Sequence, residues 1–215
     1  MIYQPERVLL FRIISSLVPT NVGKVLDIGG ADGLRYKSLF KTNQYVSLDI
    51  DPSSKPIIVA SADNLPVESE SIDTILCSQM LEHVVNPQRC LEEMFRVLKI
   101  GGICIVTVPF FNEEHSEPFD YYRFTRYGII SLCKNAGFKI EQFHQRGNFY
   151  TVVTQIFIRK MIEKYDLYNS NYLMKFFRPL SKLATYSSIY LDQKLQSKAN
   201  NKFALGWCLQ LSKNK

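Results

Sequence analysis

A chain of 215 residues with 46% hydrophobic and 21% charged content is long enough to bury one proper core and is ordinary for a globular protein. No apolar run approaches the roughly 18 residues of a membrane span, residues 1–10 carry Glu6 and Arg7 without a signal-peptide layout, and five dispersed cysteines with no C-x-x-C pair read as reduced thiols of a cytoplasmic protein. The net charge of +6 is uneven: residues 1–147 net −2 while residues 148–202 hold 9 basic and 3 acidic side chains, which argues for one local acidic partner and against a surface coated by nucleic acid.

Residues 4–18 read as an amphipathic lead-in helix, with Val8, Leu9, Phe11, Ile13 and Leu17 towards the core and Pro19 ending it. The apolar run Lys24 to Ile28 predicts a buried parallel strand. It runs into a turn of small residues, Gly29-Gly30-Ala31-Asp32-Gly33, and then a first crossover helix over 34–41 with Leu34, Tyr36 and Leu39 on one face. Tyr45 to Asp49 is the second strand, Ile57 to Ala60 a short third at the sheet edge, and Ser71 to Cys77 the fourth. Asn86-Pro87 opens a helix over 87–98 that buries Cys90, Leu91, Met94, Phe95 and Leu98 and ends at Gly101-Gly102. Ile103 to Val108 is the fifth strand, 126–136 a helix closed by Gly137, 138–145 the sixth strand and 203–211 the last. Between the last two strands, residues 148–202 carry two helical stripes. One is Phe149, Val152, Val153, Ile156 and Phe157; the other is Leu173, Phe176, Phe177, Leu180 and Leu183, interrupted at Pro179. The expected architecture is a Rossmann-like α/β fold: a seven-stranded, mostly parallel sheet with helices on both faces. Residues 1–147 and 203–215 form its core, with a helical insertion at 148–202.

A strand, a glycine turn and a helix start form the ligand-binding end of an open α/β sheet. Here the acid, Asp27, stands on the strand before the glycines, and the spacing is not the G-x-G-x-x-G of a dinucleotide pyrophosphate site. A ligand with an ammonium group and no pyrophosphate favours a carboxylate there. In these residues the chain resembles the class I S-adenosylmethionine-dependent methyltransferases, whose first motif runs apolar-apolar-Asp/Glu-x-Gly-x-Gly-x-Gly; Ala31 replaces the middle glycine. The resemblance implies S-adenosylmethionine as cofactor, held by Asp27, Gly29, Gly30, Ala31 and Gly33. Asp49, at the end of the second strand and about 20 residues on, is placed to take the ribose hydroxyls, with Ile50 beside it and Asp51 in the following turn. The family's Asp-Ala-x-x-Leu-Pro loop has Ser61 in place of its acid, so Ser61, Ala62 and Asp63 are the candidates near the adenine. Ser78 completes the cofactor set.

Ser78-Gln79-Met80-Leu81-Glu82-His83-Val84 resembles the Leu-Glu-His-Val signature of one large methyltransferase subgroup. His83 either packs near the cofactor or serves as a base for an acceptor hydroxyl. Some relatives with this signature bind a divalent metal through an acid three residues before the Glu; Gln79 stands there, so no metal is expected. His115, Pro118, Asp120, Tyr121, Arg123, Phe124 and Thr125 follow a His-x-x-Pro-x-Asp-Tyr-x-Arg-Phe-Thr pattern. This resembles a group of methyltransferases found with cell-surface polysaccharide biosynthesis enzymes. Either His115 accepts a proton and Arg123 pairs with an acceptor anion, or the loop is a self-satisfied lid with Asp120 paired to Arg123 and Thr125 capping a helix.

The expected reaction is methyl transfer to an oxygen of a small-molecule or sugar acceptor. Alternatives are a methyltransferase-like binding module without turnover, an RNA methyltransferase and, more remotely, a dinucleotide-dependent oxidoreductase. The Asn/Asp-Pro-Pro-Tyr motif of base-methylating enzymes is absent after the fourth strand, so a nucleic-acid partner is not expected. Residues 148–202 read as a cap or dimer surface of a monomer or homodimer, or as a docking segment for an anionic membrane. Lys160, Lys164, Lys175, Arg178 and Lys182 would then face phosphates, with Tyr172, Phe176 and Phe177 at the inner membrane face.

Overall fold

The computed structural model describes residues 2–214. The chain divides into two compact units. One comprises Ile14–Pro109, Glu114–His144 and Trp207–Lys215; the other comprises Met1–Ile13, Phe110–Glu113 and Gln145–Gly206.

The first unit holds most of a seven-stranded sheet. In chain order the elements are α1 (Pro5–Leu17), β1 (Val25–Ile28), α2 (Leu34–Lys37), β2 (Tyr45–Asp49), β3 (Ile58–Val59), β4 (Ile72–Ser78), α3 (Pro87–Val97), β5 (Leu98–Pro109), α4 (Arg126–Asn135), β6 (Lys139–Arg146), α5 (Phe149–Lys164), α6 (Asn171–Lys194) and β7 (Gly206–Ser212). The strand order is β3-β2-β1-β4-β5-β7-β6, and the pairs β1–β2, β1–β4, β2–β3 and β4–β5 are parallel. Order therefore reverses between β1 and β4, and the carboxyl ends of these strands splay around a crevice there. Ile28 lies level with Leu48 on one side and Cys77 on the other, so Gly29, Asp49 and Ser78 all emerge at one rim.

Burial on both faces explains the unbroken apolar runs of β1, β4 and β5. Asp73 pins the start of β1: its carboxylate accepts the Lys24 N–H at 2.8 Å and the Lys99 ammonium at 2.7 Å. Gly23, at φ +52°, has no space for a Cβ beside it. Glu93 and Arg96 on α3 hold the loop after β3: Glu93 accepts the Leu65 N–H, and Arg96 donates to the carbonyls of Leu65 and Val67. All five cysteines are buried free thiols.

Several expectations need correction. The crossover helix is a single turn, Leu34–Lys37, with Tyr36 and Phe40 buried and Leu34 exposed. On α1 the buried stripe is Leu10, Ile14 and Leu17, and Phe11 faces solvent, because the 3.6-residue period selects one row of the two available. Gly101 and Gly102 lie inside β5, and α3 has already ended at Val97; the backbone groups of both glycines bond to Lys213. The last strand starts at Gly206 and leaves 203–205 outside.

The second unit gathers the N-terminal segment together with α5 and α6, so the insertion expected at 148–202 does not stand alone. Pro179 lies within α6 without interrupting it. The buried side of this unit is mixed in polarity. Its buried positions include Gln4, Thr151, Gln155, Ser181, Thr185, Ser188 and Asp192, beside a small apolar cluster of Ile2, Ile158, Ile162 and Leu167. The Asp192 carboxylate caps α5 from α6, accepting the N–H groups of Asn148, Tyr150 and Thr151 and the Thr151 hydroxyl at 2.6–3.2 Å. Gln155 bonds to Gln4 and to the Glu6 N–H. Most of the two apolar stripes is outward: Val153, Ile156, Phe157, Leu173, Phe176, Leu180 and Leu183 are exposed, Leu183 to 67%, while Val152 is buried. The physical reason is that the hydrogen-bonded polar row of α6 took the inside face, which sends the opposite row to solvent.

Candidate active site

Two cavities meet at the rim between β1 and β4. The larger, about 210 Å³, is walled by Gly29, Leu48, Asp49 and Ile50 on one side and by Ala60, Ser61 and Ala62 on another. Gln79, Met80, His83 and Val84 close it. The smaller, about 130 Å³, is lined by Asp27, Gly29, Gly30, Ala31, Asp32, Arg35, Tyr36 and Ser78. Gly29 borders both. The first cavity is mostly apolar with one carboxylate at its edge, which suits an adenosine; the second carries a carboxylate and a guanidinium, which suits the ammonium and carboxylate of an amino acid.

The turn between them is shaped by close approach. A Cβ on Gly29 would sit 2.5 Å from the Met80 side chain, and one on Gly30 2.4 Å from the Asp27 carboxyl carbon. The N–H groups of Gly29 and Gly30 both donate to the Leu48 carbonyl. Ala31 adopts φ +49°, a left-handed conformation that costs a side-chain-bearing residue about 1 kcal/mol. Its N–H donates to Asp49 at 3.0 Å, and the other oxygen of that carboxylate accepts the Asp51 N–H. Asp49 thus clamps the glycine turn and still has lone pairs for two hydroxyls.

Asp27 is buried and accepts the Tyr45 hydroxyl at 2.7 Å. Burial pushes its carboxyl up to about 6, with the Tyr45 hydrogen bond and the Arg35 charge acting the other way. Ser78 sits in the second cavity and accepts the Thr107 hydroxyl at 3.1 Å. Gly33, at φ +75°, starts α2 and lines neither cavity. Asp63 is exposed and outside both linings, whereas Ser61 and Ala62 line the larger cavity. Asp51 caps a one-turn helix through Ser53, as its place before Pro52 suggests. Arg35 and Tyr45 had no sequence signal, since their roles come from tertiary placement.

On the far wall a second group of polar residues assembles. Leu81–His83 form one turn of 3₁₀ helix that buries Glu82 completely and sets His83 against the larger cavity. The loop after β5 straps over this turn, with the N–H groups of Tyr121 and Tyr122 both donating to the Glu82 carbonyl. His83 Nδ1 lies 2.7 Å from the Phe119 carbonyl oxygen, which fixes Nδ1 as the protonated nitrogen. Burial lowers the His83 imidazole below its ordinary value, against the Phe119 bond, so it is neutral at pH 7. The His115 ring packs edge-on against it at 4.9 Å between centroids.

Asp120 organises the rest of this loop. It accepts the His115 N–H at 2.9 Å and both Arg123 terminal nitrogens at 2.7 Å, and the Arg123 pairing holds its carboxyl down at about 2. Thr125 caps α4 through the Gly128 N–H. The self-satisfied arrangement is therefore what the structure shows for Asp120, Arg123 and Thr125. His115 and Arg123 line neither cofactor cavity.

Residues 26–106 match the family of methyltransferase domains. A ubiquinone/menaquinone biosynthesis C-methyltransferase of Campylobacter jejuni is 47% identical over 36% of this chain and 28% of its own length. Among solved structures, the [4+2]-cyclase SpnF has a TM-score of 0.64 at 17% identity, covering 95% of this chain and 80% of that one. A phosphoethanolamine N-methyltransferase of Haemonchus contortus bound to S-adenosyl-L-methionine has a TM-score of 0.61 at 19% identity, covering 96% and 52%. At these identities the structural likeness speaks to the fold. The chain covers 65% or less of the curated relatives it matches first. Residues 26–106, which hold the strand-order reversal and both cavities, are thus the part of the chain that matches the methyltransferase domain family.

Proposed function

We propose that the protein transfers the methyl group of S-adenosylmethionine to an oxygen of a small-molecule or glycan acceptor, of the kind handled in surface polysaccharide biosynthesis. The observation that carries this reading is the placement of the neutral His83, with His115 against it, on the wall of the adenosine-sized cavity. A sulfonium methyl is already activated, so the protein's part is to align the acceptor and manage its proton. A hydroxyl acceptor needs that proton removed, and imidazoles suit the task. The His-x-x-Pro-x-Asp-Tyr-x-Arg-Phe-Thr loop, which links the chain to the polysaccharide-associated group, is the segment that delivers His115. Purified protein should move tritium from methyl-labelled S-adenosylmethionine onto sugar hydroxyls, and His83→Ala should lower kcat by at least about a hundredfold with little change in cofactor affinity. Transfer that is absent for every hydroxyl acceptor, in protein that binds the cofactor, would contradict it and favour a binding module.

The exposed apolar rows of α5 and α6 favour a second element: the acceptor is membrane-borne, and this unit docks on an anionic lipid surface. Phe157, Phe176 and Leu180 face solvent on a segment with three times as many basic as acidic side chains. Among the described residues no helix is long and apolar enough to cross a membrane. The protein should co-sediment with phosphatidylglycerol vesicles and not with phosphatidylcholine vesicles, and Phe176→Ser with Leu180→Ser should reduce this at least fivefold. Equal sedimentation with both lipids, or none, would refute it.

The buried Asp27 gives cofactor binding a pH dependence. Its folded value near 6 lies above the ordinary 3.8, so the free protein favours the protonated acid. That contribution to stability is present below about pH 4 and is lost as pH rises through 6. The cofactor ammonium pairs with the ionised form, so affinity should rise tenfold per pH unit up to about 6 and level off above it. Titration calorimetry between pH 4.5 and 8 checks this; Asp27→Asn should flatten the profile.

A further inference from the structure

We propose that Tyr45 is a positioning residue of the cofactor crevice: its hydroxyl keeps the Asp27 carboxylate ionised, and so sets the pH below which the cofactor ammonium is no longer held. The proposal rests on the cofactor reading and is independent of the acceptor.

Strand register makes the contact. Tyr45 opens β2 level with Val25, and Asp27 lies level with Ser47. With the two-residue alternation of a strand, the Tyr45 and Asp27 side chains therefore leave the same face of the sheet. The Tyr45 ring is buried against Phe40, with 5.5 Å between centroids, and its edge lies 3.3 Å from where a Cβ on Gly33 would sit. Enclosed in this way, the ring aims its hydroxyl at Asp27 Oδ2, 2.7 Å away. Ser47, nearer in register, turns its hydroxyl to the Ile57 N–H instead. Tyr45 lines neither cavity, whereas Asp27 lines the smaller one. The phenol thus holds the carboxylate from behind and leaves Oδ1 for the ligand.

The surroundings make that hydrogen bond decisive. Burial pushes the Asp27 carboxyl up to about 6. The other charged and titratable groups around it are Arg35 and Tyr36 on α2, Asp32 in the turn, Asp49 on β2 and Cys77 on β4. The Asp49 charge acts in the same direction as burial. Asp32 is exposed and bonded to the Leu34 N–H, and burial keeps the Cys77 thiol neutral. Arg35 opposes burial, but it lines the same cavity and is the partner for the carboxylate of the amino-acid end. Tyr45 gives the stronger opposition and stands outside the cavity, so its bond to Asp27 persists when a ligand enters. Burial and the Asp27 charge also push the Tyr45 phenol far above its ordinary value, which makes it a permanent donor. A donor fixed on a carboxylate favours the charged form. A carboxyl at about 6 is roughly nine-tenths ionised at pH 7, and a rise of about one pH unit would leave only about half in that form.

The test is calorimetric titration of the full chain with S-adenosylhomocysteine from about pH 5 to pH 8.5. Tyr45→Phe keeps the ring against Phe40 and removes only the hydroxyl. We expect its rise in affinity to move up by about one pH unit, a loss of roughly fivefold at pH 6, while affinity at pH 8.5 stays within about twofold of native. In an Asp27→Asn background, Tyr45→Phe should change neither the affinity nor its pH dependence. A native profile that rises with pH, with the same rise unmoved in Tyr45→Phe, overturns the proposal and leaves the cofactor reading intact. Affinity lowered equally at every pH also overturns it, because that is the mark of a residue that only supports the fold. Failure of folded native protein to bind S-adenosylhomocysteine at any pH overturns the cofactor reading and this proposal with it.

Discussion

The backbone at the end of β1 approaches its neighbours so closely that no side chain fits, and the site depends on that. Gly29 lies against Met80 and Gly30 against the Asp27 carboxylate, each at a distance a Cβ would violate. The same two N–H groups hang from the Leu48 carbonyl, and Asp49 ties the next residue, so β1, β2 and the turn form one rigid corner. Because strand order reverses here, that corner faces an opening into which two cavities fit, one on each side of Gly29. Ala31 shows the same constraint in reverse: it accepts a left-handed backbone at an energetic cost, because the turn needs that conformation whichever residue occupies it.

Around this corner the crevice has two kinds of wall. One is built from strand ends and is fixed by main-chain bonds. The other is built from the turn at Glu82–His83 and the loop after β5, joined through the Glu82 carbonyl and shaped by Asp120. Residues on strand ends are positioned by the whole sheet, whereas those on a loop are positioned by its own hydrogen bonds. This is why the segment from His115 to Thr125 is held by bonds among its own members, Asp120 to His115 and Arg123, while Phe119, Tyr121 and Tyr122 remain exposed.

Much of this was legible in the residues. Continuous apolar runs located β1, β2, β4 and β5 because both faces of those strands are covered, and the spacing from Asp27 located Asp49 at the end of β2, beside the glycine turn, because strand lengths and crossover lengths are narrow in range. Arg35 and Tyr45 were invisible, since their reach to the second cavity and to Asp27 follows from tertiary placement with no local pattern. The stripes of α5 and α6 were visible, but periodicity shows only that a helix has two faces; the packing of Thr151, Gln155, Thr185 and Asp192 shows which face lies inside. The meeting of His115 with Glu82 and His83 likewise depends on a loop path that no local pattern encodes.

The central claim is that the glycine corner holds S-adenosylmethionine across both cavities. Its most direct test is calorimetric titration of S-adenosylhomocysteine into the native protein and into Gly30→Ala, whose added methyl group would displace the Asp27 carboxylate. The account predicts one site per chain in the native protein and affinity at least tenfold weaker in a variant that remains folded. Undiminished binding by the variant, or no binding by folded native protein, would contradict it.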